Sequence, residues 1–189
     1  PPTRACKGFP GMPEWEGPDP ALRAFPWPGL FARLGISGLF VPFTGEPHLL
    51  MDGPACRFPF RSFHDVAHQR GYAREDEANF LGWWLGSHSG DPHYRYSANL
   101  VAWEYVLDAL RFADPEEAHR MIQSVPEGVR DDRARLRAYW RQFEGPLEAV
   151  GTAANNVFLK SQGQSHGVAS YGRMVRLLLW DFDQRRVVR

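Results

Sequence analysis

Proline is spread unevenly along this chain, and that limits the fold more than any other feature. Eight of the 16 prolines fall within residues 1–30: Pro1, Pro2, Pro10, Pro13, Pro18, Pro20, Pro26 and Pro28. Proline lacks an N–H to donate, and its ring clashes with the preceding helical turn. The stretch is therefore expected to form neither a helix nor an inner strand. It also carries Phe9, Trp15, Phe25 and Trp27. It reads as a Pro-rich N-terminal arm or linker whose aromatic residues suit it to drape over a core. The fold proper is expected over residues 31–189.

A chain of 189 residues is long enough for one domain with a real core. Its 43% hydrophobic and 14% aromatic content rules out a disordered chain. The 22 Lys+Arg and 22 Asp+Glu balance to zero net charge. That argues against bulk electrostatic binding to nucleic acid or to an anionic membrane. No apolar run is long enough to span a bilayer. Two cysteines, Cys6 and Cys56, are too few for a disulfide scaffold, and leave one bridge or two free thiols equally open.

Residues 34–43 alternate apolar with small residues and include β-branched and aromatic ones. They predict a short strand stopped by Pro42. Thr44-Gly45-Glu46-Pro47 is a turn, and His48 to Met51 a second strand, together a hairpin or the edge of a small sheet. From Phe60 onward the pattern is helical. Phe63, Val66 and Ala67 share a face, with Gly71 as the C-cap. Arg74 to Leu85 forms the next helix, with Glu75, Asp76 and Glu77 in its first turn, where carboxylates suit the dipole. Ser97 to Phe112 comes next, then a helix opened by Asp114-Pro115-Glu116-Glu117. Residues 128–143, 146–160 and 168–183 complete the set. The expected class is mainly α with a small β element, α+β.

The chemistry concentrates between Phe63 and Phe80. His64 and His68 are four apart on a helix, so both imidazoles face one side, the spacing that binds a single zinc ion. The residue after the first His is acidic, as in H-E-x-x-H sites, but is Asp65 rather than Glu. Gly71 lets the chain reverse, so the next helix can return an early carboxylate to the metal. Glu75 is the preferred third ligand and Glu77 the alternative. Asn79 shares the face of Glu75 and suits a supporting role behind a ligand.

Several blocks together resemble a known family: Ile36-Ser37-Gly38-Leu39-Phe40-Val41-Pro42-Phe43-Thr44-Gly45-Glu46; His68-Gln69-Arg70-Gly71-Tyr72-Ala73-Arg74-Glu75-Asp76-Glu77-Ala78-Asn79-Phe80; Tyr96-Ser97; Leu159-Lys160; Gly163-Gln164-Ser165; and Gly167-Val168-Ala169-Ser170-Tyr171-Gly172-Arg173-Met174-Val175. They look like the bacterial, membrane-anchored, zinc-metallopeptidase-like family known as domain of unknown function 3810, over roughly residues 30–183. The resemblance implies a zincin-like domain with an active-site helix beside a short sheet. His64 and His68 match the two His of the family's H-E-x-x-H. Glu75-x-x-x-Asn79 is similar to the E-x-x-x-D of CAAX-processing metalloproteases, whose first Glu is a ligand, and this favours Glu75 over Glu77.

On that resemblance the expected cofactor is Zn²⁺, which lowers the pKa of bound water from 15.7 to about 7. The expected substrate is a peptide or protein. Asp65 is the candidate base, with its oxygens drawn back by about 1.5 Å relative to Glu. If the site is otherwise intact, Asp65→Glu should raise hydrolysis. Tyr171 and Arg173 are the candidates to stabilise the oxyanion. The parent protein is expected to be anchored by segments outside this chain, with the domain on an extracytoplasmic face.

Two alternatives stand beside the peptidase: a catalytically lapsed, zinc-binding or metal-free interaction module, and an HD-type metal phosphohydrolase suggested by the His64-Asp65 doublet. His48, His88, His93 and His119 read as solvated histidines. The Ile36–Val41 strand could accept an added peptide strand.

Overall fold

A computed structural model describes residues 22–41, 43–161 and 173–187. In chain order the elements are β1 (Arg23–Ala24), α1 (Pro28–Arg33), β2 (Gly38–Val41), β3 (Glu46–Leu49), a 3₁₀ turn (Ala55–Arg57), α2 (Phe58–Gln69), α3 (Glu75–Ser87), α4 (Pro92–Ala113), α5 (Pro115–Ser124), α6 (Glu127–Arg141), α7 (Pro146–Ser161) and α8 (Met174–Val187). The chain is mainly helical with one small sheet, an α+β arrangement.

The sheet has the order β1-β3-β2, with β1 parallel and β2 antiparallel to β3. The hairpin is where the alternation put it, although its second strand starts earlier and includes Pro47. That proline is tolerated for a reason the register supplies. Leu50 N–H donates to Ser37 C=O at 3.0 Å. Antiparallel pairs alternate between bonded and non-bonded, so Phe40 and Pro47 face each other at a non-bonded position, where no N–H is required. The same alternation turns the backbone groups of Gly38 and Phe40 away from β3, towards an edge of the sheet that is open among the described residues.

The Pro-rich stretch divides. Residues 1–21 lie outside the described residues. Residues 22–30 belong to the fold: β1 pairs in the sheet, and α1 starts at Pro28. The expectation that no helix forms there fails because Pro28 occupies the first helical turn, where its missing N–H has no partner to lose. Phe25 is 5% exposed and packs with Ala32 and Leu50 under Tyr139, Trp140 and Phe143. Leu34, expected in a strand, instead ends α1. α4 begins at Pro92, earlier than expected, because the Asp91 side chain accepts the His93 N–H at 2.8 Å and caps it.

The core is built where α2, α3 and α4 pack together. Phe63, Val66, Ala67, Ala78, Leu81, Leu85, Ala98 and Val101 are all buried there. Removing a Phe63-sized side chain from water contributes about 2–3 kcal/mol. Two glycines of α3 set the spacing. A Cβ on Gly82 would lie 3.2 Å from His64 N, and one on Gly86 would lie 2.6 Å from Ala98 Cβ. α3 therefore lies close against both neighbours. Ser97 Oγ on α4 accepts the Phe60 N–H at 3.0 Å, satisfying a donor at the start of α2. Met174 brings α8 onto Phe80 and Ala102. No helix among the described residues is long and apolar enough to cross a membrane.

Candidate metal centre

α2 carries His64 and His68 one turn apart, and the reversal at its C-terminus fixes their chemistry. Gly71 adopts φ +92°, a left-handed conformation that costs glycine no Cβ clash. Tyr72 N–H then bonds back to Ala67 C=O at 3.1 Å, and Gly71 N–H to His68 C=O at 3.0 Å. These are the two bonds of a Schellman cap, and the accompanying apolar contact is Tyr72 on Ala67. The cap turns the Tyr72 carbonyl inward, where it accepts from His68 Nδ1 at 2.8 Å. With its proton held on Nδ1, His68 presents a lone pair on Nε2.

The reversal also starts α3 at Glu75, beside the two imidazoles. His64 Nε2 lies 3.1 Å from His68 Nε2. Glu75 Oε2 is 3.4 Å from His64 Nε2, and Glu75 Oε1 is 3.5 Å from His68 Nε2. Two histidines and a carboxylate are a common zinc donor set, and tetrahedral zinc with bonds of about 2.0–2.1 Å holds its ligand atoms about 3.3–3.4 Å apart. The two approaches to Glu75 are made by different oxygens, so its carboxylate straddles the imidazole pair at roughly that spacing, and the donor set is one that zinc takes. Among the described residues this is the one group of three such side chains placed to hold a metal ion. Their side chains are 11–16% exposed, which leaves a narrow opening to solvent. Phe60 and Phe40 shelter the imidazoles, with ring centroids 6.1 Å from His64 and 6.4 Å from His68.

Charge states are set by burial and neighbours. Burial pushes His64 down to about 4, helped by the charge of His68 and opposed by Glu75 and Asn79. His68 moves the other way: burial lowers it, but the hydrogen bond and charge of Glu75 and the Tyr72 carbonyl outweigh that. Asp65 is 3% exposed. Burial raises it to about 7, and the Glu75 charge adds to the rise while His68 and Arg61 oppose it. Its carboxylate lies under β2: a Cβ built on Gly38 would be 3.0 Å from Asp65 Oδ2.

Asn79, expected to support a ligand, is 2% exposed and stands beside His64. Glu77, the alternative third ligand, lies outside the group: it is 44% exposed and pairs with Arg74 at 3.3 Å. Arg173 Nε lies 3.9 Å from Asp76 Oδ2, and so contacts the residue next to Glu75. Tyr171 lies outside the described residues, as does Cys6. His88 stacks on Trp84 at 4.4 Å, and Tyr96 donates to Asp132 at 2.7 Å. Neither joins the centre. Asp65 is not one of the three grouped donors, as an HD-type site would require.

A family model described as "Protein of unknown function (DUF3810)" matches residues 7–179. The chain belongs to this family. The DUF3810 match takes in the sheet, all three grouped side chains and the beginning of α8, so the whole group lies within the matched residues. Neither the curated proteins nor the solved structures contain a match to the chain.

Four residues around this group stand outside the set expected from the sequence. Tyr72 acts through its carbonyl, which no side-chain pattern reveals. Gly82 and Gly38 signal close approach, and a glycine inside a helix or strand is a legible marker of that. Tyr105 on α4 feels both Glu75 and Asn79, and burial raises its hydroxyl to about 12.

Proposed function

We propose that this domain is a zincin-like metallopeptidase in which His64, His68 and Glu75 hold Zn²⁺. The observation that carries the reading is the donor group: two Nε2 atoms 3.1 Å apart, one Glu75 oxygen 3.4 Å from His64 and the other 3.5 Å from His68, and an Nδ1 proton anchored on the Tyr72 carbonyl. When bound, zinc supplies Lewis acidity at this apex. The remaining work falls to the chain. Asp65 takes a proton from the attacking water at its carboxylate and passes it to the leaving amine. A carboxyl at about 7 is matched to both halves of that task near neutral pH. Phe40, Phe60 and the close approach of α3 limit water around the donors. Asn79 orients His64. Arg173, beside the ligand helix, and Tyr171 are assigned to the oxyanion on the family resemblance.

The test is metal content and cleavage measured together. Wild type is expected to bind one zinc and His68→Ala to lose it. Zinc-loaded wild type should cleave members of a broad peptide library, and Asp65→Asn should not. A protein that binds zinc stoichiometrically and cleaves nothing sinks the peptidase reading. It would leave the second one, a zinc-holding interaction module, which the short Asp65 favours. The family resemblance further supports a parent protein anchored in a bacterial membrane with this domain outside the cytoplasm. Antibody access to the domain in intact cells, compared with permeabilised cells, tests that.

A further inference from the structure

Gly38 is out of character for its position. It is the first residue of β2, where glycine packs nothing and weakens a strand. Its φ is not positive; among the described glycines only Gly35, Gly45 and Gly71 have positive φ. Backbone conformation therefore does not require glycine at 38. Space does. A Cβ there would lie 3.0 Å from Asp65 Oδ2, 3.4 Å from Asp65 Oδ1 and 3.4 Å from Leu49 Cδ2. The carboxylate of Asp65 has taken the volume that any other residue at 38 would fill.

We infer that Gly38 is a positioning residue for Asp65: by lacking a side chain it lets β2 close over the short carboxylate and fix where its oxygens stand. The inference rests on the peptidase reading for its consequence, though not for its geometry. Asp65 springs from α2, one residue after His64, and its carboxyl feels both His68 and Glu75. It is close enough to the donor group to feel its charge, and it lies against the strand. Asp65 is not one of the donors, so a bound ion would not hold it directly. The wall it lies against is Gly38 together with the Leu49 side chain. Leu49 and Gly38 are cross-strand partners, so the wall is a fixed piece of the hairpin. A methyl group at 38 would displace the carboxylate by a few tenths of an ångström and leave His64, His68 and Glu75 where they are.

The experiment is a four-protein cycle: wild type, Gly38→Ala, Asp65→Ala and the double variant. Metal-free unfolding is read first. Gly38→Ala is expected to lower Tm by about 2–4 °C when Asp65 is present, and to leave it unchanged in the Asp65→Ala background, because the contact is gone. Equal losses in both backgrounds would overturn the inference and assign the space to Leu49. If Gly38→Ala fails to fold, a folded double variant supports the inference and an unfolded one overturns it. With zinc bound, Gly38→Ala should lower kcat about tenfold, since a shift of ~1 Å costs about a hundredfold. KM and zinc stoichiometry should hold. A loss confined to KM, or a loss of zinc, would overturn the positioning role. If wild type cleaves no peptide, the peptidase reading fails by itself, and the Tm cycle still decides the Gly38–Asp65 contact.

Discussion

Asp65 and His64 are sequence neighbours buried together, and burial drives their titrations in opposite directions. His64 falls from 6.5 to about 4. The unfolded chain therefore binds the extra proton between those values, and stability is lost as pH drops through that window. Asp65 rises from 3.8 to about 7. There the folded protein binds the extra proton, and stability is lost as pH climbs from about 4 to 7. The two effects oppose each other in the metal-free wild type. Asp65→Asn removes one of them. It is expected to raise metal-free stability by about 2–4 kcal/mol above pH 7, to change it little near pH 4, and to abolish hydrolysis. Thermal unfolding of both proteins from pH 4 to 8 checks this, and a gain independent of pH would contradict it. The Gly38 contact also bears on Asp65→Glu. Sequence alone reads that change as a gain, but the carboxylate already touches β2, and an extra methylene has nowhere to go without strain. The expected outcome is a lower Tm and no rise in cleavage.

Between α2 and α3 the decisive element is the turn. Gly71→Ala places a Cβ at φ +92°, which costs roughly 1 kcal/mol. It also loosens the carbonyl that orients His68, and losing such a support typically weakens metal affinity about 10–100-fold. A zinc titration on Gly71→Ala should show that weakening with the three donors untouched, and unchanged affinity would remove Tyr72 from the centre. This helix pair was legible in the sequence because its signals are local: His four apart, a glycine stop, and acidic residues opening the next helix. The structure places Glu75, not Glu77, beside the two histidines, the same order in which the sequence ranks them. The parts that were not legible depend on distant residues. The parallel pairing of β1 with β3 joins Arg23 to His48, and nothing within a short window announces it. The Gly38–Asp65 contact joins a strand to a helix across the hairpin. The start of α4 was readable in Asp91-Pro92, an N-cap followed by a first-turn proline, but its flanking glycine and serine read as loop.

The protein as assembled has two kinds of tie. One is the donor group, which links α2 to α3. The other is a charged cluster centred on α4. Glu104 on α4 pairs with Arg57 before α2, and Arg133 on α6 approaches it at 3.7 Å while lying over the Trp103 ring. Removing one partner of a partly buried ion group leaves the others uncompensated. Glu104→Ala is therefore expected to cost about 2–4 kcal/mol in denaturant unfolding and to leave zinc stoichiometry at one. A chelator should do the reverse, lowering Tm in wild type but not in His68→Ala. Stabilisation by metal reaches about 4 kcal/mol when free zinc is a thousandfold above Kd. All three donors, with the turn that orients them, lie within residues 64–75. Among the described residues, nothing from α4 onward contributes a ligand. A chain growing from its N-terminus presents the complete donor set before α4 has been translated. On the proposed zinc site, capture of the ion would precede closure of the core, and the ion would serve as a seed around which the later helices dock.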